Sequence, residues 1–170
     1  MKNAEQPRNH ENTKKNLFRG SILSVLMFAA ACAPAPQTSN TPKPGDTMPA
    51  AIIDPYLQIQ DGLAHDSIDN LRANAGNIAT AATTLGAPAM RIDTAAVQLA
   101  SAGDLADARQ KFGVLSEAIV AYKDGLKLKA GEGVKQAFCP MAVKPWLQKG
   151  DTISNPYYGT EMPTCGSFTQ

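Results

Sequence analysis

Four sulfur-bearing side chains near the C-terminus are where this sequence is equipped for chemistry. Cys139 and Met141 stand two residues apart, and Met162 and Cys165 three apart. Thiolate and thioether donors are soft and suit Cu(I) and, by the same softness, Ag(I). If the two ends of this segment meet, two pairs of sulfur atoms converge, and a linear or trigonal Cu(I) needs only two or three of them. Thioethers also remain usable as ligands where thiols are oxidised. His65 offers a nitrogen, but nothing in its position directs it to the sulfurs. The same two cysteines permit a second chemistry. In an exported protein they pair as a disulfide, and Cys139–Cys165 would close a loop whose entropy is worth roughly 3 kcal/mol. Met141 and Met162 would then be packing residues. A redox-active thiol is a third reading, although the wide separation gives no Cys-x-x-Cys motif. The residues alone leave these readings open.

Little else in the chain suggests catalysis. Ser116 has no acid or histidine partner nearby in sequence and reads as a buried or back-bonded helical serine. Asp107, Arg109 and Glu117 read as a solvated helix face. Trp146, Tyr157 and Tyr158 either line a ligand groove or pack the C-terminal segment, and packing is the simpler role. No phosphate loop, zinc signature or catalytic triad pattern is present, so an enzyme is not expected.

The compartment is read from the N-terminus. Lys14, Lys15 and Arg19 precede an apolar run from Ile22 to Ala31, which is short for a membrane span. Small residues then lead into Cys32, as at a bacterial lipoprotein cleavage site, although Ala29 stands where leucine is usual. Residues 1–31 are therefore expected to be a lipoprotein signal peptide, with Cys32 lipidated and the protein anchored in the bacterial periplasm. The alternative is ordinary secretion into the periplasm. His10 belongs to this leader. Residues 32–51, rich in proline and poor in large apolar side chains, read as a disordered tether. From Cys32 onward there are eleven basic and thirteen acidic side chains. They are scattered, which argues against nucleic-acid binding.

Residues 52–170 must then position the sulfurs. Asp54-Pro55 reads as a helix start, followed by Tyr56, Ile59 and Leu63 at helical spacing. A second helix is expected from Asp66 to Leu85, with Ile68, Leu71, Ala75, Ile78, Ala82 and Leu85 forming one seam. A third spans Pro88 to Ala102. A fourth opens at Asp104 and carries Leu105, Ala108, Phe112, Leu115, Ile119, Tyr122 and Leu126. This pattern predicts an all-α protein, an antiparallel four-helix bundle. No repeated Glu-x-x-His pattern points to a di-iron centre inside it. Beyond Gly133 the prolines at 140, 145, 156 and 163 exclude a long helix. A small irregular cap is expected over about 133–170, with Val134–Phe138 and Cys165–Phe168 extended and close together. Asn155-Pro156-Tyr157-Tyr158-Gly159 is turn chemistry.

The residues Cys139-Pro140-Met141-Ala142, Trp146-Leu147, Asn155-Pro156-Tyr157-Tyr158-Gly159, Met162 and Cys165-Gly166, together with Ala108-Arg109, Phe112 and Leu115-Ser116, resemble a known family. It is an uncharacterised bacterial periplasmic helical domain. It occurs alone and also fused to the periplasmic adaptor subunits of heavy-metal efflux pumps of the resistance-nodulation-division type. The resemblance covers roughly residues 52–168. It implies a helical bundle, an envelope location and a link to copper or silver handling. Metal efflux or cuproprotein-assembly proteins are the partners it suggests. The chain lacks the length for the adaptor's other regions and is expected to be a stand-alone copy.

Overall fold

A computed structural model describes residues 40–169. Among them four helices come first, α1 (Ala50–Ala64), α2 (Leu71–Leu85), α3 (Met90–Ala100) and α4 (Leu105–Gly125). Three strands follow, β1 (Val134–Cys139), β2 (Lys144–Lys149) and β3 (Ser167–Phe168). The strands pair antiparallel in the order β2-β1-β3. The fold is mixed α/β, which overturns the expected all-α four-helix bundle with an irregular cap. Successive helices pack on one another, and β2 lies against both α4 and α1. A sheet therefore occupies the side of the array that a fourth helix–helix interface would fill.

The missed strand is β2, and Pro145 is the reason. Proline lacks an N–H and is tolerated in a sheet chiefly on edge strands. Here β2 is an edge strand, and Pro145 sits opposite Phe138. Its carbonyl accepts bonds from Ser116 Oγ (2.8 Å) and Tyr157 Oη (2.5 Å). Two residues on, Leu147 N–H likewise donates to Tyr56 Oη at 3.0 Å and not to the ladder. Alternate residues of an antiparallel edge direct their backbone groups away from the neighbouring strand, and Pro145 shares the parity of Leu147. The missing N–H thus costs no ladder bond.

Helix boundaries also moved for identifiable reasons. α1 begins at Ala50, with Pro55 inside it, because Ile52 and Ile53 are buried along with Tyr56, Ile59 and Leu63. Asp66 does not cap α2. It adopts a left-handed conformation (φ 59°) and its carboxylate is bound elsewhere. Ile68 lies outside the helix and is 40% exposed. α2 starts only after Asn70. The third segment opens as a 3-10 turn, Ala87–Ala89, before α3. Asp104 does cap α4, accepting from Asp107 N–H at 2.8 Å.

The core runs from Ile52, Ile59 and Ile78 through Phe112, Leu115 and Ile119 to Trp146 and Leu147. Fully burying each such side chain stabilises the fold by about 1.5–3 kcal/mol. Upstream of α1, Gly45 N–H donates to Lys127 O (3.0 Å), Lys129 N–H to Asp46 O (2.8 Å) and Met48 N–H to Lys129 O (2.8 Å). Met48 is buried, so the chain joins the fold before Ile52. The expected signal peptide, the lipidation site Cys32, His10 and the tether up to residue 39 lie outside the described residues. Among the described residues no helix is long and apolar enough to cross a membrane.

Candidate functional site

β1 places Ala137 and Cys139 on its buried side, by the two-residue period of a strand. β3 pairs with β1 through Ala137–Phe168 and Phe138–Ser167. That register carries Cys165, just before β3, back to the end of β1. The two sulfurs meet at 3.7 Å, and both are free thiols. Gly166 makes the approach possible. It has φ 139°, and a Cβ there would lie 2.6 Å from Trp146 Cη2 and 3.0 Å from Phe138 O. No larger residue fits beside the indole at that backbone angle.

Cys139 is buried and its sulfur receives two N–H donors. Asn155 Nδ2 donates at 3.3 Å, and Ala142 N–H, from the hairpin turn between β1 and β2, at 3.4 Å. Cys165 is half-buried. Burial, together with the neighbouring Cys139, pushes its thiol pKa up, while the backbone N–H of Met141 acts in the opposite sense.

Asn155 organises this end of the molecule and was read from the sequence only as part of a turn. It is fully buried. Its Nδ2 also donates to Cys165 O at 2.5 Å. Its Oδ1 accepts from Tyr157 N–H (2.7 Å) and Tyr158 N–H (3.3 Å). Its backbone N–H donates to Pro163 O and its carbonyl accepts from Gly159 N–H. The readable sign was Asn before Pro, a side chain that bonds to the backbone two residues on. Nothing in the sequence pointed it at the sulfurs.

The remaining expected donors do not gather equally. Met141 is 63% exposed on the hairpin turn. Met162 is half-buried, and its carbonyl accepts from Cys165 N–H at 3.2 Å. His65 is exposed and bonds locally to Asp61 O at 2.8 Å. Among the described residues no group of three or more His, Cys, Asp and Glu side chains is placed to hold a metal ion. The donor set is thus a two-thiol pair flanked in sequence by thioethers. Such a set fits a soft ion of low coordination number and does not fit one that needs four hard or borderline ligands.

The aromatic residues pack at this end of the molecule, with the Trp146 indole beside Gly166. Trp146 is buried, donates from Nε1 to Gln148 Oε1 at 3.0 Å, and meets Tyr157 edge-on at 5.9 Å. Tyr157 packs on Phe112, which stacks on Tyr56. Tyr158 is half-buried and borders a cleft of about 400 Å³ between α4 and the hairpin. The two cations of that cleft are already paired, Arg109 with Asp66 and Lys144 with Glu117 (2.8 Å). Arg109 is therefore not part of a solvated face. It donates to Leu63 O (3.2 Å), Pro156 O (3.3 Å) and the Asp66 carboxylate. Thr160 binds the same carboxylate, so the loop carrying Asn155 is fastened to α1 and α4. Ser116 lies buried between Tyr56 Oη (2.6 Å) and Pro145 O (2.8 Å), with no acid or imidazole beside it.

No protein-family model, no curated protein and no solved structure matches the chain.

Proposed function

We propose that this is an exported, lipid-anchored protein that binds Cu(I) or Ag(I) between Cys139 and Cys165. It would buffer the ion or pass it to a metal-efflux or cuproprotein-assembly partner. The observation that carries the reading is the 3.7 Å approach of the two thiols, with two N–H donors aimed at the buried one. Two soft ligands held by a folded sheet and loop need little reorganisation to share one ion. The resemblance of the Cys-Pro-Met-Ala and Asn-Pro-Tyr-Tyr-Gly stretches to the periplasmic domain of copper and silver efflux adaptors points the same way. Metal binding is its only proposed chemistry, and catalysis is not part of it.

The test is a titration of the reduced protein with Cu(I) against a competing chelator. One ion per chain is expected, and Cys139→Ser with Cys165→Ser should abolish competition. Wild-type affinity in that double variant removes the site assignment, and a reduced wild type that never competes removes the function. The same sulfur contact favours a second reading, an envelope interaction module pinned by a Cys139–Cys165 disulfide. A protein isolated from the periplasm fully oxidised, and inert to metal after reduction, selects that alternative.

A further inference from the structure

The two sulfurs are not equivalent. Cys139 is buried at the end of β1, behind the hairpin turn, while Cys165 is half-buried on the approach to β3. An external reagent meets Cys165 first. Cys139 then stands 3.7 Å behind it with its sulfur facing two N–H donors. On access alone, Cys165 is the entry thiol and Cys139 the resolving thiol. The cysteines do not need a new fold to bond, because the β1–β3 pairing already brings Cys165 to the end of β1, with the sulfurs 3.7 Å apart.

We propose that Cys139 and Cys165 form a two-electron redox gate on the metal site, with Cys165 as entry thiol, Cys139 as resolving thiol and Asn155 as positioning residue. The gate rests on the metal-binding reading, whereas the entry and resolving order stands on the burial difference alone. The oxidant is a small-molecule disulfide or the disulfide of a thiol oxidoreductase. The Cys165 thiolate attacks one sulfur of that disulfide, forming a mixed disulfide and expelling one thiolate. The Cys139 thiolate then attacks Cys165 Sγ, the intramolecular disulfide forms, and the second thiolate leaves. The two protons lost by the cysteines end on the two released thiols, and the oxidant has gained two electrons. Both soft ligands are consumed, so the oxidised protein has no thiolate to offer a metal ion.

Asn155 sets the balance between the two states. Its Nδ2 bridges Cys139 Sγ and Cys165 O, while its Oδ1 gathers the Tyr157 and Tyr158 amides. Asn155→Asp keeps the Oδ1 acceptor and the shape but exchanges a donor for a carboxylate oxygen beside the sulfur. The amide bridge that ties Cys139 Sγ to Cys165 O is lost. With the sulfurs less firmly held together, their effective concentration falls and the intramolecular disulfide should need a more oxidising buffer.

The experiment uses the full chain with Cys32→Ser, leaving only these two thiols. It is equilibrated in glutathione buffers, freed of glutathione, and scored by alkylation with mass measurement and by competition for Ag(I). The expected result is an intramolecular disulfide marked by the loss of two hydrogens, with Ag(I) affinity at least about tenfold weaker than in the dithiol form. Adding Cys139→Ser should leave a stable mixed disulfide with glutathione on Cys165. Adding Cys165→Ser instead should leave Cys139 largely unreacted. Asn155→Asp should shift the glutathione midpoint toward oxidising conditions while circular dichroism stays that of the folded protein, a combination that loss of folding does not produce. If Asn155→Asp does not fold, the two single-cysteine variants still decide the order of attack. A mixed disulfide on Cys139 but not Cys165 overturns the order. An oxidised form that binds Ag(I) as tightly as the reduced one overturns the gate while leaving metal binding intact. A reduced form that binds no Ag(I) overturns the metal reading and the gate together, and the order of attack is then judged by the single-cysteine variants.

Discussion

At the scale of single residues, the position of the sulfur loop depends on a glycine that adjoins neither proposed ligand in sequence. Gly159 has φ 53°, and a Cβ there would overlap the Asp66 carboxylate and the Arg109 guanidinium. Those two groups, with Thr160, fasten the loop to α1 and α4. The Thr160 hydroxyl, and then Arg109, holds the Asp66 carboxyl below the usual aspartate range. A depressed folded-state pKa contributes stability above the unfolded carboxylate pKa, and that contribution is lost as pH falls through the folded value. Gly159→Ala combines left-handed strain with overlap and should lower the unfolding free energy by about 2 kcal/mol. Urea denaturation at neutral pH measures this, and the gap from wild type should narrow in acid as Asp66 protonates. An unchanged midpoint at neutral pH would mean that the loop is not held there.

At the scale of elements, the sheet is joined to the helices by one directed chain of hydrogen bonds. Leu147 N–H of β2 donates to Tyr56 Oη of α1 at 3.0 Å. Tyr56 then donates to Ser116 Oγ of α4, and Ser116 donates back to Pro145 O of β2. Tyr56→Phe leaves the buried Leu147 amide without its acceptor and should cost about 1–3 kcal/mol. Tyr122 is the control, a buried phenol whose oxygen has no partner among the described residues. Tyr122→Phe should be close to neutral or mildly stabilising in the same denaturation assay. Equal losses for the two variants would count against the chain as the link. This same linkage explains what the sequence concealed. α4 was legible because its apolar residues recur at helical spacing and Asp104 caps it through a local bond. Val134–Phe138 and Cys165–Phe168 were expected to be extended and close together, and β1 and β3 pair. β2 was not legible, because Pro145 looks like a breaker until its neighbours from α4 and the 155–159 loop are known. Asn155 and Arg109 were misjudged for a similar reason. The bonds that were missed, from Asn155 to the two cysteines and from Arg109 to Leu63 and Pro156, join residues 10 to 47 apart, and periodicity carries no information about such pairs.

At the scale of the whole molecule, helices and sheet share one aromatic column, Tyr56 on Phe112, Phe112 on Tyr157, and Tyr157 against Trp146. Opening the sulfur end therefore exposes the centre of the core, and the two should unfold together. The column gives this coupling a pH signature. Burial pushes the phenol pKa values of Tyr56 and Tyr157 well above that of a free tyrosine. In the unfolded chain both phenols ionise near their ordinary value, so the folded state binds more protons above it. Stability from these groups is complete below the unfolded pKa and falls as pH rises beyond it. One pH unit above an ordinary tyrosine pKa of about 10, each buried phenol should cost about 1.4 kcal/mol of unfolding free energy. Thermal unfolding between about pH 9 and pH 11 should therefore show a falling midpoint. Tyrosinate absorbance from Tyr56 and Tyr157 should appear with the transition and not before it. Compared with its own neutral-pH midpoint, Tyr56→Phe should lose less on going to alkaline pH than wild type does, because one of the two phenols is gone. A wild-type midpoint that stays flat, or phenols that titrate fully while the fold is intact, would show that the column is open to solvent and that the sulfur end moves independently of the core.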